Sequence, residues 1–168
     1  MEVLFETNRM LFIRPNINYV EDYLRNINNP VIYNYLFNEH DEDITLEQEI
    51  DWVERHQEDY TFTLIDRQTN EFIGNCGFNE IENNIRTIGI MLDPKYQNIG
   101  LGTEAIRELI NIGFNTLNLD EIRLIVFSDN ERAIRCYRRL GFEEYQRVEN
   151  VIQRNNEEIS DIYMRLTR

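Results

Sequence analysis

Apolar residues recur along this chain with two different periods, and the switches between them lay out its elements. Arg9-Met10-Leu11-Phe12-Ile13-Arg14-Pro15 reads as a first strand closed by its proline. Helical spacing follows from about Asn18 to Asn26, from about Pro30 to Phe37 and from Thr45 to about Gln57. In the last of these, Thr45 and Gln48 form a capping box, and Leu46, Ile50 and Val53 make the expected buried stripe. Three strands come next, Tyr60 to Asp66, Glu71 to Glu80 and Asn84 to Leu92. The polar turns between them are short enough to predict antiparallel hairpins. Asp93-Pro94 ends the third strand, because proline restrains its predecessor and donates no N–H.

Beyond that stop, Ala105, Ile106, Leu109, Ile110 and Phe114 fall at helix spacing, predicting a helix from Thr103 to Asn115. Glu121 to Phe127 reads as a strand. Ser128 with Glu131 offers a second capping box, opening a helix with Ala133, Ile134, Tyr137 and Leu140 on one face. Gly141 stands where a left-handed C-cap glycine belongs, and Phe142 to Val148 and Ile159 to Leu166 read as closing strands. The order β-α-α-α-β-β-β-α-β-α-β-β predicts an α+β or mixed α/β fold with one parallel crossover.

A chain of 168 residues suits a single domain spanning 1–168, and its 42% hydrophobic share is that of a globular protein. No run approaches the roughly 20 apolar residues of a membrane span. The opening Met1-Glu2-Val3-Leu4-Phe5-Glu6 carries acids where a secretory signal carries lysines, so the reading is cytoplasmic. Cys76 and Cys136 belong to no CxxC pair, and His40 and His56 fit no compact ligand spacing, so no metal is expected. The net charge of −14 argues against nucleic acid. It is unevenly spread: Glu39 to Asp59 holds ten acids against Arg55 alone. That segment reads either as a solvated helix face with an acidic loop, or as a field that attracts a cationic substrate.

Candidate chemistry gathers at Gln97-Asn98-Ile99-Gly100-Leu101-Gly102, a glycine-bearing turn between an apolar strand and a helix. Such a turn aims backbone N–H groups at one point with the positive end of a helix behind them, which suits phosphate oxygens. Asn130 and Tyr137 stand on a later helix, the first as a cap and the second as a phenol able to serve proton transfer. The spacing of Tyr137 with Ala133, Ile134 and Leu140 also fits a packing face. Together these features suggest an enzyme that holds a pyrophosphate-bearing cofactor and acts at its far end.

Gln97-x-x-Gly100-x-Gly102, followed by Asn130-Glu131-x-Ala133-x-x-x-Tyr137-x-x-x-Gly141-Phe142, resembles the GNAT acetyltransferases. Within them the chain is similar to the branch of ribosomal-protein N-terminal acetyltransferases and spermidine N-acetyltransferase, with a likeness running from Arg9 to Leu166. The resemblance implies a mostly antiparallel twisted sheet of about seven strands, flanked by helices and splayed at an acetyl-CoA site. It implies acetyl-CoA as cosubstrate, its pyrophosphate on Gln97, Asn98, Ile99, Gly100, Leu101, Gly102 and Thr103. Ile90, Met91 and Leu92 would align with the pantetheine arm, with a strand N–H on the thioester oxygen and Gly89 at a bulge or close approach. Asn130 would touch the CoA arm, and Tyr137 would protonate the leaving thiolate. The implied reaction is direct transfer in a ternary complex to a primary amine, on a protein N-terminus or a small molecule.

Three points stay open at this level. Many relatives carry a glutamate as general base where Arg86-Thr87-Ile88-Gly89 places Thr87; a water chain, Glu80 or an acid from Glu39 to Asp43 would have to replace it. The acceptor is also open, with a polyamine as the variant that the acidic segment suggests. A non-catalytic acetyl-CoA sensor and an acidic interaction module are the readings from other classes. Tyr33, Tyr35, Phe37 and Trp52 read as core, in a region that walls the acceptor site in this family, and relatives often form homodimers.

Overall fold

Two asparagine pairs turn the chain back on itself. Asn83 and Asn84 (φ 41° and 59°) connect β4 (Phe72–Glu82) to β5 (Ile85–Leu92), and Asn155 and Asn156 (φ 53° and 63°) connect β7 (Glu143–Arg154) to β8 (Glu157–Thr167). Positive φ at both central residues is the two-residue hairpin turn whose twist matches the flanking strands. The computed structural model describes residues 1–36 and 42–168, and of residues 80 and 81 the backbone alone. With β1 (Val3–Glu6), β2 (Met10–Ile13), β3 (Thr61–Asp66) and β6 (Glu121–Phe127), the strands hydrogen-bond in the order β1-β2-β3-β4-β5-β6-β8-β7. Among the described registers, β5 with β6 is parallel and the others are antiparallel. The expected single crossover is therefore present, and it runs through α4 (Leu101–Asn111). The remaining helices are α1 (Val20–Ile27), α2 (Pro30–Tyr33), α3 (Leu46–Arg55) and α5 (Glu131–Arg139). No described helix is long and apolar enough to cross a membrane.

Contacts divide the chain into two compact units, Met1–Phe78 with Gly89–Glu108, and Asn79–Ile88 with Leu109–Arg168. In the first, Met10, Phe12, Phe62, Leu64 and Ile73 are fully or almost fully buried, and Tyr23, Val53 and Phe72 form a second cluster with Tyr19 and Trp52 against it. The Tyr23 hydroxyl shares a hydrogen bond with Thr63 and accepts from the Asn16 N–H, which satisfies it inside the core. In the second unit Ile112, Leu119, Ile122, Phe142 and Met164 are buried. α4 ends there in a wide turn over Ile112–Thr116, closed by the Leu117 N–H donating to the Ile112 carbonyl at 3.0 Å.

Four expectations need correction. Among the described residues the sheet has eight strands where about seven were expected, because Val3–Glu6 also pairs with β2, placing Phe5 opposite Phe12. Its four residues are too short a run to show a period. β7 continues past Val148 to Arg154, since an edge strand that is mostly exposed has no buried face to impose alternation. α2 stops at Tyr33, and Phe37 lies outside the described residues. On α3 the capping box of Thr45 and Gln48 is present, but Leu46 is 46% exposed and the buried positions are Glu49 and Val53.

Candidate active site

The first unit carries the turn. β5 ends at Leu92, and the Asp93 N–H donates to the Ile73 carbonyl at 2.8 Å while its carboxylate accepts from the Lys95 N–H at 2.9 Å. That cap starts a single helical turn, Pro94–Tyr96, which the buried Tyr96 anchors by donating to Glu71 at 2.6 Å. Gln97 Nε2 then donates back to the Leu92 carbonyl at 2.9 Å, tying the turn to the strand. Asn98 (φ 63°) and Gly100 (φ 86°) adopt left-handed backbone, which bends the chain into the N-terminus of α4. The first N–H groups of any helix lack intrahelical acceptors, so the start of α4 at Leu101 and Gly102 is an end where the dipole favours an anion. A Cβ at Gly102 would meet its nearest neighbour, Leu92 Cδ1, at an ordinary 3.6 Å, so the fold itself does not demand glycine there.

The parallel register of β5 with β6 consists of Ile85–Glu121, Arg86–Ile122 and Thr87–Arg123, and Ile90, Met91 and Leu92 lie beyond it. β4 approaches this stretch closely: a Cβ on Gly74 would sit 2.0 Å from the Met91 carbonyl oxygen. Gly89 is the opposite case. It is exposed, and apart from its chain neighbours no described atom lies within 4 Å of where its Cβ would stand, so the described chain makes no close approach there.

The second unit carries Asn130 and Tyr137, the first at the start of α5 and the second within it. The cap of α5 is Asn130, whose Oδ1 accepts from the Ala133 N–H at 3.3 Å. Ser128, expected as the cap, instead accepts from the Ser160 N–H at 2.9 Å and joins β6 to β8. Gly141 (φ 99°) closes the helix as expected: its N–H donates to the Arg138 carbonyl, and the Phe142 N–H reaches back to the Tyr137 carbonyl. Tyr137 is half-buried, its ring edge-on to the buried Phe142 at 6.0 Å. Burial pushes its phenol up to about 12, and no described side chain hydrogen-bonds its hydroxyl. Packing face and free hydroxyl therefore coexist on one residue.

Among the other candidates, His56 stacks on Trp52 with ring centroids 4.8 Å apart, while His40, Glu39, Asp41 and the Glu80 side chain lie outside the described residues. Burial pushes the Cys76 thiol far up, so it stays protonated and inert. Tyr35 is exposed rather than core, and Trp52 packs at the edge of the Tyr23 cluster.

Sequence reasoning missed Arg9, which is bonded to the turn, and Glu49, a buried carboxylate on α3. Glu49 was legible in principle, because it stands four residues before Val53 on the same helix face. Burial raises its carboxyl above the usual range. A raised folded pKa means stability is fully present below the unfolded value and is lost as pH rises through the folded one. Glu49→Gln should therefore raise the melting temperature at about pH 7 and change it little at about pH 4. Equal shifts at both pH values in thermal melts would contradict that placement.

A strand that runs through a fastened glycine turn into a helix N-terminus, beside one parallel strand pair, is an arrangement whose chemistry suits a phosphate group. The family model described as the Acetyltransferase (GNAT) domain matches residues 9–143, and the chain belongs to that family. It is 38% identical over 85 residues to an uncharacterized N-acetyltransferase, p20, of Bacillus licheniformis, covering 49% of this chain and 48% of that one. It is 47% identical over 53 residues to spermidine N(1)-acetyltransferase of Escherichia coli K12, covering 32% of this chain and 28% of that one. The matches thus span half or less of these curated relatives. The crystal structure of spermidine N-acetyltransferase from Vibrio cholerae, in complex with CoA and spermine, shares the fold, with a TM-score of 0.85, 20% identity and 96% of both chains covered.

Proposed function

We propose that this chain is an acetyl-CoA-dependent N-acetyltransferase, one domain over residues 1–168, that acetylates a primary amine by direct transfer in a ternary complex. The observation that carries the reading is the turn from Gln97 to Thr103, tied to β5 and leading into α4 in a chain of the GNAT family. In this reading the turn takes the pyrophosphate, Ile90, Met91 and Leu92 pair with the pantetheine arm, and Asn130 adds a contact to the cofactor while capping α5. The amine nitrogen attacks the thioester carbon, the N–C bond forms and the C–S bond breaks. Tyr137 gives its proton to the departing sulfur and regains one from solvent, while the attacking nitrogen releases a proton to water. A phenol raised to about 12 is fully protonated at neutral pH, which keeps that donor loaded. Thr87 cannot accept the amine's proton, so deprotonation is left to solvent or to a carboxylate.

The acceptor we favour is a polyamine. Glu39 to Asp59 holds nine of the chain's fourteen net negative charges, and relatives named for spermidine appear in both sequence and fold comparisons. Spermidine should be acetylated faster than a neutral aminoacyl amide, and its rate should fall steeply as salt rises, because a charged field is screened within about 10 Å at 0.1 M. Equal rates for the two acceptors, or a salt-independent spermidine rate, would end the polyamine reading and leave the N-terminal amine of a protein as the alternative.

A further inference from the structure

Arg9 enters from the start of β2 and is bonded to the turn across 90 residues of sequence. Its Nη1 donates to the Ile99 carbonyl at 2.8 Å, and its Nε donates to Glu104 Oε2 at 2.7 Å. The Arg9 backbone N–H donates to the other oxygen of the same carboxylate at 3.0 Å. Glu104 lies in the first turn of α4, so one guanidinium grips the turn and the helix that follows it. Burial pushes the Glu104 carboxyl up, but bonds from Thr7 and Arg9 outweigh this and hold it below the usual range.

We propose that Arg9 is the positioning residue of the pyrophosphate turn, aiming the Gly100 N–H at the cofactor's phosphate by holding the Ile99 carbonyl from behind. This rests on the reading of the turn as the acetyl-CoA site. The Ile99 carbonyl and the Gly100 N–H belong to one peptide plane, and in a trans peptide they point in opposite directions. The described chain has no cis peptide. Pinning the carbonyl to Arg9 therefore fixes the N–H on the opposite side. Gly100 at φ 86° is the soft point of the turn, where a glycine without such a hold has the widest choice of conformations. The guanidinium also closes the space behind it: a Cβ on Gly100 would stand 3.3 Å from Arg9 Nη2. Because Glu104 neutralises Arg9, the contribution is direction rather than charge. A planar fork can hold a carbonyl and a carboxylate at once, which an ammonium cannot do with the same geometry.

Arg9→Lys keeps the charge and loses the fork. The Arg9 side chain is 46% exposed, so the fold has little reason to depend on it. Three quantities decide: affinity for acetyl-CoA, kcat/KM with acetyl-CoA against S-acetylpantetheine, which carries the thioester without the pyrophosphate, and the melting temperature. The variant should bind acetyl-CoA about tenfold more weakly, while kcat/KM with S-acetylpantetheine stays within about twofold and kcat at saturating acetyl-CoA is retained. An unchanged acetyl-CoA affinity, or an equal loss with both donors, overturns the inference. A wild-type protein that binds acetyl-CoA no better than S-acetylpantetheine overturns the reading of the turn as well. Tight wild-type binding with an indifferent Arg9→Lys overturns the role of Arg9 alone.

Discussion

Tyr137→Phe is expected to lower kcat by about a hundredfold or more while acetyl-CoA affinity stays near that of the wild type. The substitution removes one oxygen and keeps the ring that packs edge-on to Phe142, so the helix and its cap remain. What is lost is the only proton this residue offers. The parent thiol has a pKa near 8.5, so the expelled thiolate takes up a proton at neutral pH, and general acids contribute about 10² to 10⁴ in rate. Because the phenol is raised to about 12, no limb from its ionisation should appear in the wild-type rate profile across the neutral range. Unchanged turnover in Tyr137→Phe would return Tyr137 to the packing face alone. Turnover and affinity lost together, with a lower melting temperature, would mean that the hydroxyl serves the fold.

The second large effect belongs to Gly74. A Cβ there would fall 2.0 Å from the Met91 carbonyl oxygen and 2.9 Å from the Leu92 Cα, both backbone atoms of β5 that no rotamer change can move. Gly74→Ala should therefore cost about 3 kcal/mol, the range of an overpacked interior. For a chain of this size that is a melting temperature lower by about 9 °C. Since the displaced atoms belong to the stretch assigned to the pantetheine arm, acetyl-CoA affinity should fall with it. Gly89→Ala is the control on β5, where no described atom beyond the chain neighbours lies within 4 Å, and it should melt with the wild type. A Gly74→Ala variant as stable as the wild type would show that β4 and β5 are not held this closely.

Local signals carried most of the fold. The capping box at Thr45, the proline stop at Pro94 and the left-handed Gly141 each follow from one residue's own chemistry, and each is present. What the sequence hid depends on distance or on exposure. The Arg9–Glu104 pair joins residues 95 apart, and Gly74 is required by a strand seventeen residues later, so neither leaves a local trace. β1 and the far half of β7 lie at the edges of the sheet, where weak burial erases periodicity. Leu46 misled in the other direction: its place beside the cap left it exposed, and the helix buried Glu49 instead. The turn itself was legible because left-handed backbone and glycine go together, but its fastening by Gln97 and Arg9 was not.

Incubating the protein with acetyl-CoA and a panel of neutral and cationic primary amines, while following free thiol and the mass of each amine, decides whether this chain transfers acetyl groups. One acetylated amine is expected for each thiol released, with no release when the amine is absent. Tight acetyl-CoA binding with no transfer to any amine would contradict it and make the chain a sensor of the cofactor instead.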